Sequence, residues 1–156
     1  EGIREDVRLR FEVGALLSGD VYLRARQARS AARESIADLY ATQRLDAIAL
    51  PTLPATAPTR SDPRVTYPDG TVEAAGPALT RFTMPWNATG QPAISVPCGF
   101  DAKGLPIGLS FVGRPDEELA LCEIAQAYER AAGWHLQRPP VAQMADDDAK
   151  ESIGPR

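Results

Sequence analysis

Hydrolysis of an amide or ester by a side chain requires a nucleophile, a base within hydrogen-bond reach, and donors aimed at the developing oxyanion. The chain carries serines at 18, 30, 35, 61, 95, 110 and 152, cysteines at 98 and 122, one histidine at 135, and lysines at 103 and 150. No Gly-Gly or Ser-Ser pair occurs, and none of the serines sits in a glycine-rich elbow. Ser18 stands where a helix N-cap is expected, and Ser95 and Ser110 fall within expected strands. Ser95 is therefore read as a strand hydroxyl bonded to backbone rather than as a nucleophile. Cys98 has no second histidine to activate it, and His135, following Trp134 past a helix end, has no carboxylate or thiol partner pattern. Asp116, Glu117 and Glu118 match the positive end of a helix and need no cation to explain them. A catalytic set within this chain is not expected, nor is a metal or organic cofactor.

Residues suited to holding a substrate gather between Arg81 and Gly90. Phe82 and Trp86 offer apolar surface, Arg81 a fixed charge, and Asn87 both a donor and an acceptor. Contact with a ligand is one reading of these four. The competing reading makes Trp86 a core residue and has Asn87 tie the loop to the backbone.

The elements that must position them follow from periodicity. Residues 3–44 read as two helices broken near Ser18-Gly19-Asp20. In the second, Val21, Ala25, Ala28, Ala32, Ile36 and Leu39 form an alanine-rich apolar stripe opposite arginines, one that needs a covering surface. Leu45–Leu50 is a short apolar run ended by Pro51, expected to be a buried strand. Residues 51–77 hold six prolines, at 51, 54, 58, 63, 68 and 77, which exclude regular structure over most of the segment. Within it, Asp69-Gly70 is a turn signal. Residues 78–88 are expected to be partly helical, restarting at Pro85 and ending at Gly90. Ala93–Val96 reads as a strand closed by Pro97, and a turn at Asp101–Gly104 leads into a partner strand over Ile107–Val112. A helix then opens at Pro115–Glu118, buries Leu121, Ile124, Ala125, Tyr128 and Ala132, and stops at Gly133. This is a mixed α/β order with a sheet of about three strands in the chain. A sheet of that size leaves edges that proteins cover or pair, so it reads as incomplete, and self-association is expected.

Composition sets outer bounds. With 156 residues, 44% hydrophobic and 24% charged, the chain fits one compact globular unit. No apolar run approaches the roughly 20 residues that cross a bilayer, and the start EGIREDVRLR has no signal-like apolar region. Without an initiator Met, the chain is expected to begin inside a longer polypeptide. A net charge of −4, with basic residues clustered only at Arg24, Arg26, Arg29 and Arg33 on one helix, argues against nucleic acid. Cys98 and Cys122 define neither a disulfide framework nor zinc spacing, which fits a cytoplasmic protein. Asn87-Ala88-Thr89 is a chance glycosylation match.

Several stretches in order resemble one family. Leu45–Pro54, with Ala57-Pro58, resembles the strand running into "PT.P..AP" of amidase-signature hydrolases. Thr83–Gly99, TMPWNATGQPAISVPCG, resembles that family's "T.P.N.TG.PA.S.P.G". Gly104–Leu109, Gly113-Arg114-Pro115, Ala127-Tyr128-Glu129 and Trp134-His135 follow in the expected sequence, and Glu12-Val13-Gly14 with Ser18 and Tyr22 precede them. The resemblance spans residues 1–140 as a C-terminal segment of an amidase-signature domain, with 141–156 as a flexible tail. It implies a large α/β fold around a mixed sheet, of which this chain holds only part. It further implies cofactor-free hydrolysis of amide C–N bonds by a nucleophilic serine, a second serine at a cis peptide, and a lysine base. Nothing here matches the Gly-Ser-Ser-Gly loop, Lys103 sits in an expected turn and Lys150 in the tail. The catalytic residues are therefore expected outside this chain, in an N-terminal half or a partner subunit. The resemblance also implies that the Arg81–Gly90 region walls an acyl pocket for a small amide, which makes Arg81, Phe82, Trp86 and Asn87 the candidate substrate-binding residues. The alternative is a noncatalytic interaction module that keeps the fold.

Overall fold

The computed structural model describes residues 2–137; the expected tail over 141–156 lies outside them. The chain divides into two compact units, Glu1–Leu45 and Asp46–Arg156.

The first unit is two helices, α1 (Glu5–Ala15) and α2 (Gly19–Gln43), with the break at the expected place. Ser18 occupies the N-cap position in extended backbone, but its hydroxyl does not accept from a first-turn N–H. It donates instead to the carboxylate of Asp20, which also binds Arg24 one turn on. A carboxylate two residues away competes with the cap, and the expected capping bond is absent for that reason. Helix α2 ends at Arg44, a non-glycine residue in the left-handed region (φ 51°), with Leu45 N–H bonded to the Tyr40 carbonyl at 3.1 Å. The expected apolar stripe is largely open to solvent: Ile36 is half-buried, while Val21 is 41% and Leu39 42% exposed. On α1 and the link after it, Phe11 is 69% and Leu16 85% exposed.

The second unit is built on a three-stranded antiparallel sheet in the order β1-β5-β4, with β1 at Ile48–Pro51, β4 at Ala93–Phe100 and β5 at Pro106–Val112. Strand β1 starts three residues later than the apolar run does and includes Pro51, which pairs with Leu109. Strand β4 likewise continues through Pro97, where a one-residue register shift at Cys98 realigns Gly99 with Ile107. Both prolines lie on edge strands, where a missing donor need not interrupt the ladder. The β4–β5 turn is held by Asp101, whose Oδ1 accepts from the N–H groups of Lys103 and Leu105, each at 2.8 Å.

Alternation sorts the sheet's side chains onto two faces. Val96 and Phe111 are buried against Leu121 and Ala125 of α5 (Glu118–Ala132), with Ile94, Leu109, Ile124 and Tyr128 packed around them. The Phe111 and Tyr128 rings meet edge-on, with centroids 5.6 Å apart. Gly133 ends α5 in the left-handed region (φ 71°) as expected. The opposite face presents Ser95, Gly108 and Ser110, with Ser95 and Ser110 directly paired across the ladder.

Part of the proline-rich connection is regular after all. β2 (Arg64–Thr66) and β3 (Val72–Ala74) form a short hairpin whose turn is Pro68-Asp69-Gly70. The Asp69 carboxylate accepts from Thr71 N–H at 2.9 Å, and Gly70 has φ 86°. Three-residue strands fit between the prolines, so proline density excluded less than expected. Helix α3 (Ala75–Thr80) packs on this hairpin, and α4 (Met84–Thr89) starts with Pro85 in its first turn and ends at Gly90 (φ 80°).

Candidate functional site

The face of the sheet away from α5 carries a cluster of three hydroxyls. Thr52 extends β1 by one backbone bond, its N–H donating to the Gly108 carbonyl at 2.8 Å. That bond fixes the Thr52 side chain over β5, where its Oγ1 lies 2.6 Å from Ser95 Oγ and 2.8 Å from Ser110 Oγ. The cluster needs a glycine beneath it. A Cβ at Gly108 would stand 2.8 Å from Thr52 Oγ1, 3.0 Å from Ser95 Oγ and 3.1 Å from Thr52 Cβ. Ser95 thus bonds to the hydroxyl of the residue that follows β1, not to backbone as expected. Neither Ser95 nor Ser110 has a histidine, lysine or carboxylate bonded to it among the described residues.

Two depressions meet at this cluster. The larger, about 630 Å³, is walled by residues 51–57, 95–97 and 106–108. The smaller, about 210 Å³, lies beside α4 and is lined by Thr83, Trp86, Asn87 and the strand residues around Ser95 and Ser110. Thr52 and Ser95 belong to both. Trp86 is half-buried, and its indole N–H is enclosed without an acceptor among the described residues. Asn87 is exposed and makes no side-chain hydrogen bond among them, so the loop-tying bond that competed with its pocket role is not formed.

The other two candidates lie elsewhere. The Arg81 guanidinium donates through Nη2 to both Glu73 oxygens, at 2.8 and 2.7 Å, and Tyr67 OH donates to the same carboxylate at 3.2 Å. Burial, then the bond to Glu73, push the Tyr67 phenol above its ordinary pKa. This cluster lines a separate depression on the β2–β3 hairpin and joins the hairpin to the end of α3. Phe82 is half-buried and lines none of these three hollows. The structure therefore brings Trp86 and Asn87 together and separates Arg81 and Phe82 from their pocket.

Of the remaining reactive groups, Cys98 is half-buried at the β4 irregularity, Cys122 is exposed on α5, and both are free thiols. His135 sits exposed in a 3-10 turn over Trp134–Leu136. No group of three or more His, Cys, Asp or Glu residues suited to a metal occurs among the described residues. Nor is any described helix long and apolar enough to cross a membrane.

Comparison with known proteins places this arrangement in a family. The family model described as Amidase matches residues 1–122. An amidase from Pseudomonas putida is 41% identical over 136 residues, covering 87% of this chain and 28% of its own length. A glutamyl-tRNA(Gln) amidotransferase subunit from Thermosynechococcus vestitus is 35% identical over 150 residues, covering 90% of this chain and 29% of itself. A crystal structure of an amidase superposes with a TM-score of 0.69 at 26% identity, over 85% of this chain and 28% of that one. The chain thus spans under a third of the length of these relatives, and its small antiparallel sheet matches part of a larger fold. With its motifs, its sheet and its relatives in agreement, this chain belongs to the Amidase family.

Proposed function

We propose that this chain is the C-terminal part of an amidase that cleaves amide C–N bonds, with the nucleophilic serine, the cis-peptide serine and the lysine base supplied by polypeptide outside it. The observation that carries this reading is the pocket where Trp86 and Asn87 converge beside the Thr52–Ser95–Ser110 hydroxyls, without a base bonded to any of them among the described residues. A pocket wall without a catalytic set is what a segment spanning 28% of an amidase relative would contribute. The only lysines, Lys103 and Lys150, stand in the β4–β5 turn and outside the described residues. In the complete enzyme, the serine oxygen attacks the amide carbonyl, and the amine or ammonia leaves with a proton from the base. Water then cleaves the acyl-serine ester to release the acid and restore the hydroxyl. Trp86 and Asn87 wall the acyl side of a small amide, and Arg81, tied to Glu73, positions the segment that carries them. Two free cysteines fit a cytoplasmic setting.

The missing residues belong either to the same polypeptide or to a partner subunit. The first case is favoured by the relatives, in which the matched segment makes up 28% and 29% of one longer polypeptide. Purified chain is expected to leave a panel of aryl amides and aryl esters intact. The polypeptide extended upstream, or the chain mixed with a separately encoded partner, is expected to hydrolyse at least one. Turnover by the chain alone that Ser95→Ala abolishes would overturn the placement of the nucleophile. Inactivity of every combination would favour a noncatalytic module.

A further inference from the structure

The hydroxyl cluster has a proton count with a consequence for ligand choice. Three hydroxyls carry three hydrogens, and the two bonds joining Thr52 to Ser95 and to Ser110 use two of them. One hydrogen is left over. It does not rest on Ser110, which is 7% exposed, because a buried donor without an acceptor costs about 1–3 kcal/mol. It therefore belongs to Ser95 or Thr52, both of which line the larger cleft. The relay Ser110 to Thr52 to Ser95 is the arrangement in which each donated bond polarises the next, and it leaves the Ser95 hydrogen facing out. Ser95 is exposed, so an outward hydrogen meets no steric bar.

The wall around that donor carries no charge. Residues 51–57, 95–97 and 106–108 include no Asp, Glu, Lys, Arg or His. Desolvating an ionised ligand against such a wall is unfavourable, whereas an apolar body bearing one acceptor oxygen matches it. We infer that Ser95 is a specificity-determining hydrogen-bond donor, and that the cleft it serves takes an uncharged, largely apolar carboxamide through its carbonyl oxygen. The inference rests on the amidase reading for the amide class. It adds the donor atom and the exclusion of charged groups from the larger cleft.

The test is binding, without hydrolysis, by the 156-residue chain. Benzamide, benzoate and benzamidinium are titrated against labelled chain while backbone amide resonances are followed by NMR. Benzamide is expected to give saturable shifts at Thr52, Ser95 and Gly108, and both charged analogues to bind more weakly. Ser95→Ala should weaken benzamide about 3- to 10-fold, the range for one neutral hydrogen bond. Ser95→Thr, which keeps the hydroxyl, should retain most of the affinity, and preserved spectral dispersion will show that each variant folds. Thr52→Val should have a smaller effect than Ser95→Ala, since it removes the polarisation but not the donor. No saturable shift at these residues, preference for a charged analogue, or unchanged affinity in Ser95→Ala would each overturn the inference. A larger loss in Thr52→Val than in Ser95→Ala would move the donor to Thr52 and overturn the assignment to Ser95. Because no chemistry is involved, an inactive longer polypeptide would sink the amidase reading and leave this result standing. Failure of benzamide to bind would do the reverse.

Discussion

Thr52 Oγ1, one residue beyond β1, lies 2.6 Å from Ser95 Oγ in β4, although the two strands are separated by β5. The contact reaches across the middle strand because Gly108 presents no side chain there. Gly108→Ala would drive a methyl group into Thr52 Oγ1 and Cβ; the Cβ is held by the Thr52 N–H bond to the residue 108 carbonyl, and rotating Oγ1 away would break its bonds to Ser95 and Ser110. The expected loss is about 1–3 kcal/mol, as for other overpacked sites, read from chemical denaturation. Gly76→Ala is the control: a Cβ there meets nothing within 4 Å, and alanine within α3 should be neutral or slightly stabilising.

Trp86 and Asn87 should separate in their effects. Trp86→Ala opens the smaller pocket. In the hydrolysing polypeptide it should reorder amide preference by roughly 10- to 200-fold in kcat/KM, alongside a stability loss of about 2 kcal/mol for a half-buried ring. Trp86→Phe removes an indole N–H that is enclosed without an acceptor, which offsets the lost volume, so stability should stay within about 1 kcal/mol. Asn87→Ala should leave stability within about 0.5 kcal/mol, because its exposed side chain holds nothing in place. A clear fall in melting temperature for Asn87→Ala, with amide preference unchanged, would assign it to packing.

The β4–β5 turn should respond to acid. Asp101 is held below the usual carboxyl value of 3.8, first by the Leu105 backbone N–H and then by the Thr56 hydroxyl and the other turn donors. A lowered folded-state pKa means stabilisation that is complete above the unfolded value and fades as pH falls through the folded one. Asp101→Ala should therefore be less stable than the parent at neutral pH, and the two melting temperatures should converge as pH drops below about 4. A gap that persists or widens in acid would show that the turn is held by something other than the carboxylate.

The first unit should associate. Phe11 at 69%, Leu16 at 85%, Leu17 at 62% and Leu23 at 57% exposed give α1, α2 and their link more open apolar surface than a monomer usually keeps. Light scattering across a concentration series should show mass rising above 16.8 kDa, and Phe11→Glu with Leu16→Glu should reduce it. A monomer at every concentration would count against the need for a covering partner.

Much of this was legible from local signals. The break before α2, the Asp101–Gly104 turn, the glycine stops at 90 and 133, and the buried face of α5 each depend on a few neighbouring residues. Proline misled twice, because its effect depends on whether a strand is an edge, and strand order cannot be read from Pro51 or Pro97 themselves. The β2–β3 hairpin was hidden by the same reasoning. For the site, Trp86 and Asn87 share a helix of six residues, so their proximity followed once that helix was expected. The pairing of Arg81 with Glu73 has no local signal, because Glu73 sits in a proline-rich segment expected to be irregular. The hydroxyl cluster joins residues 43 and 58 positions apart and depends on the order β1-β5-β4, for which local sequence holds no signal.

That strand order also bears on synthesis. Strand β1 leaves the ribosome well before β5, its partner in this sheet, and residues 52–112 take roughly 3–12 s to follow at ordinary elongation rates. For that interval its backbone groups are open to wrong pairing, and the prolines at 51, 54, 58 and 63 deny the adjoining chain the donors that an extended non-native ladder would require. The proline-rich stretch should then limit wrong pairing during translation as well as wall the cleft afterwards. Replacing those prolines would be felt first in the yield of soluble protein.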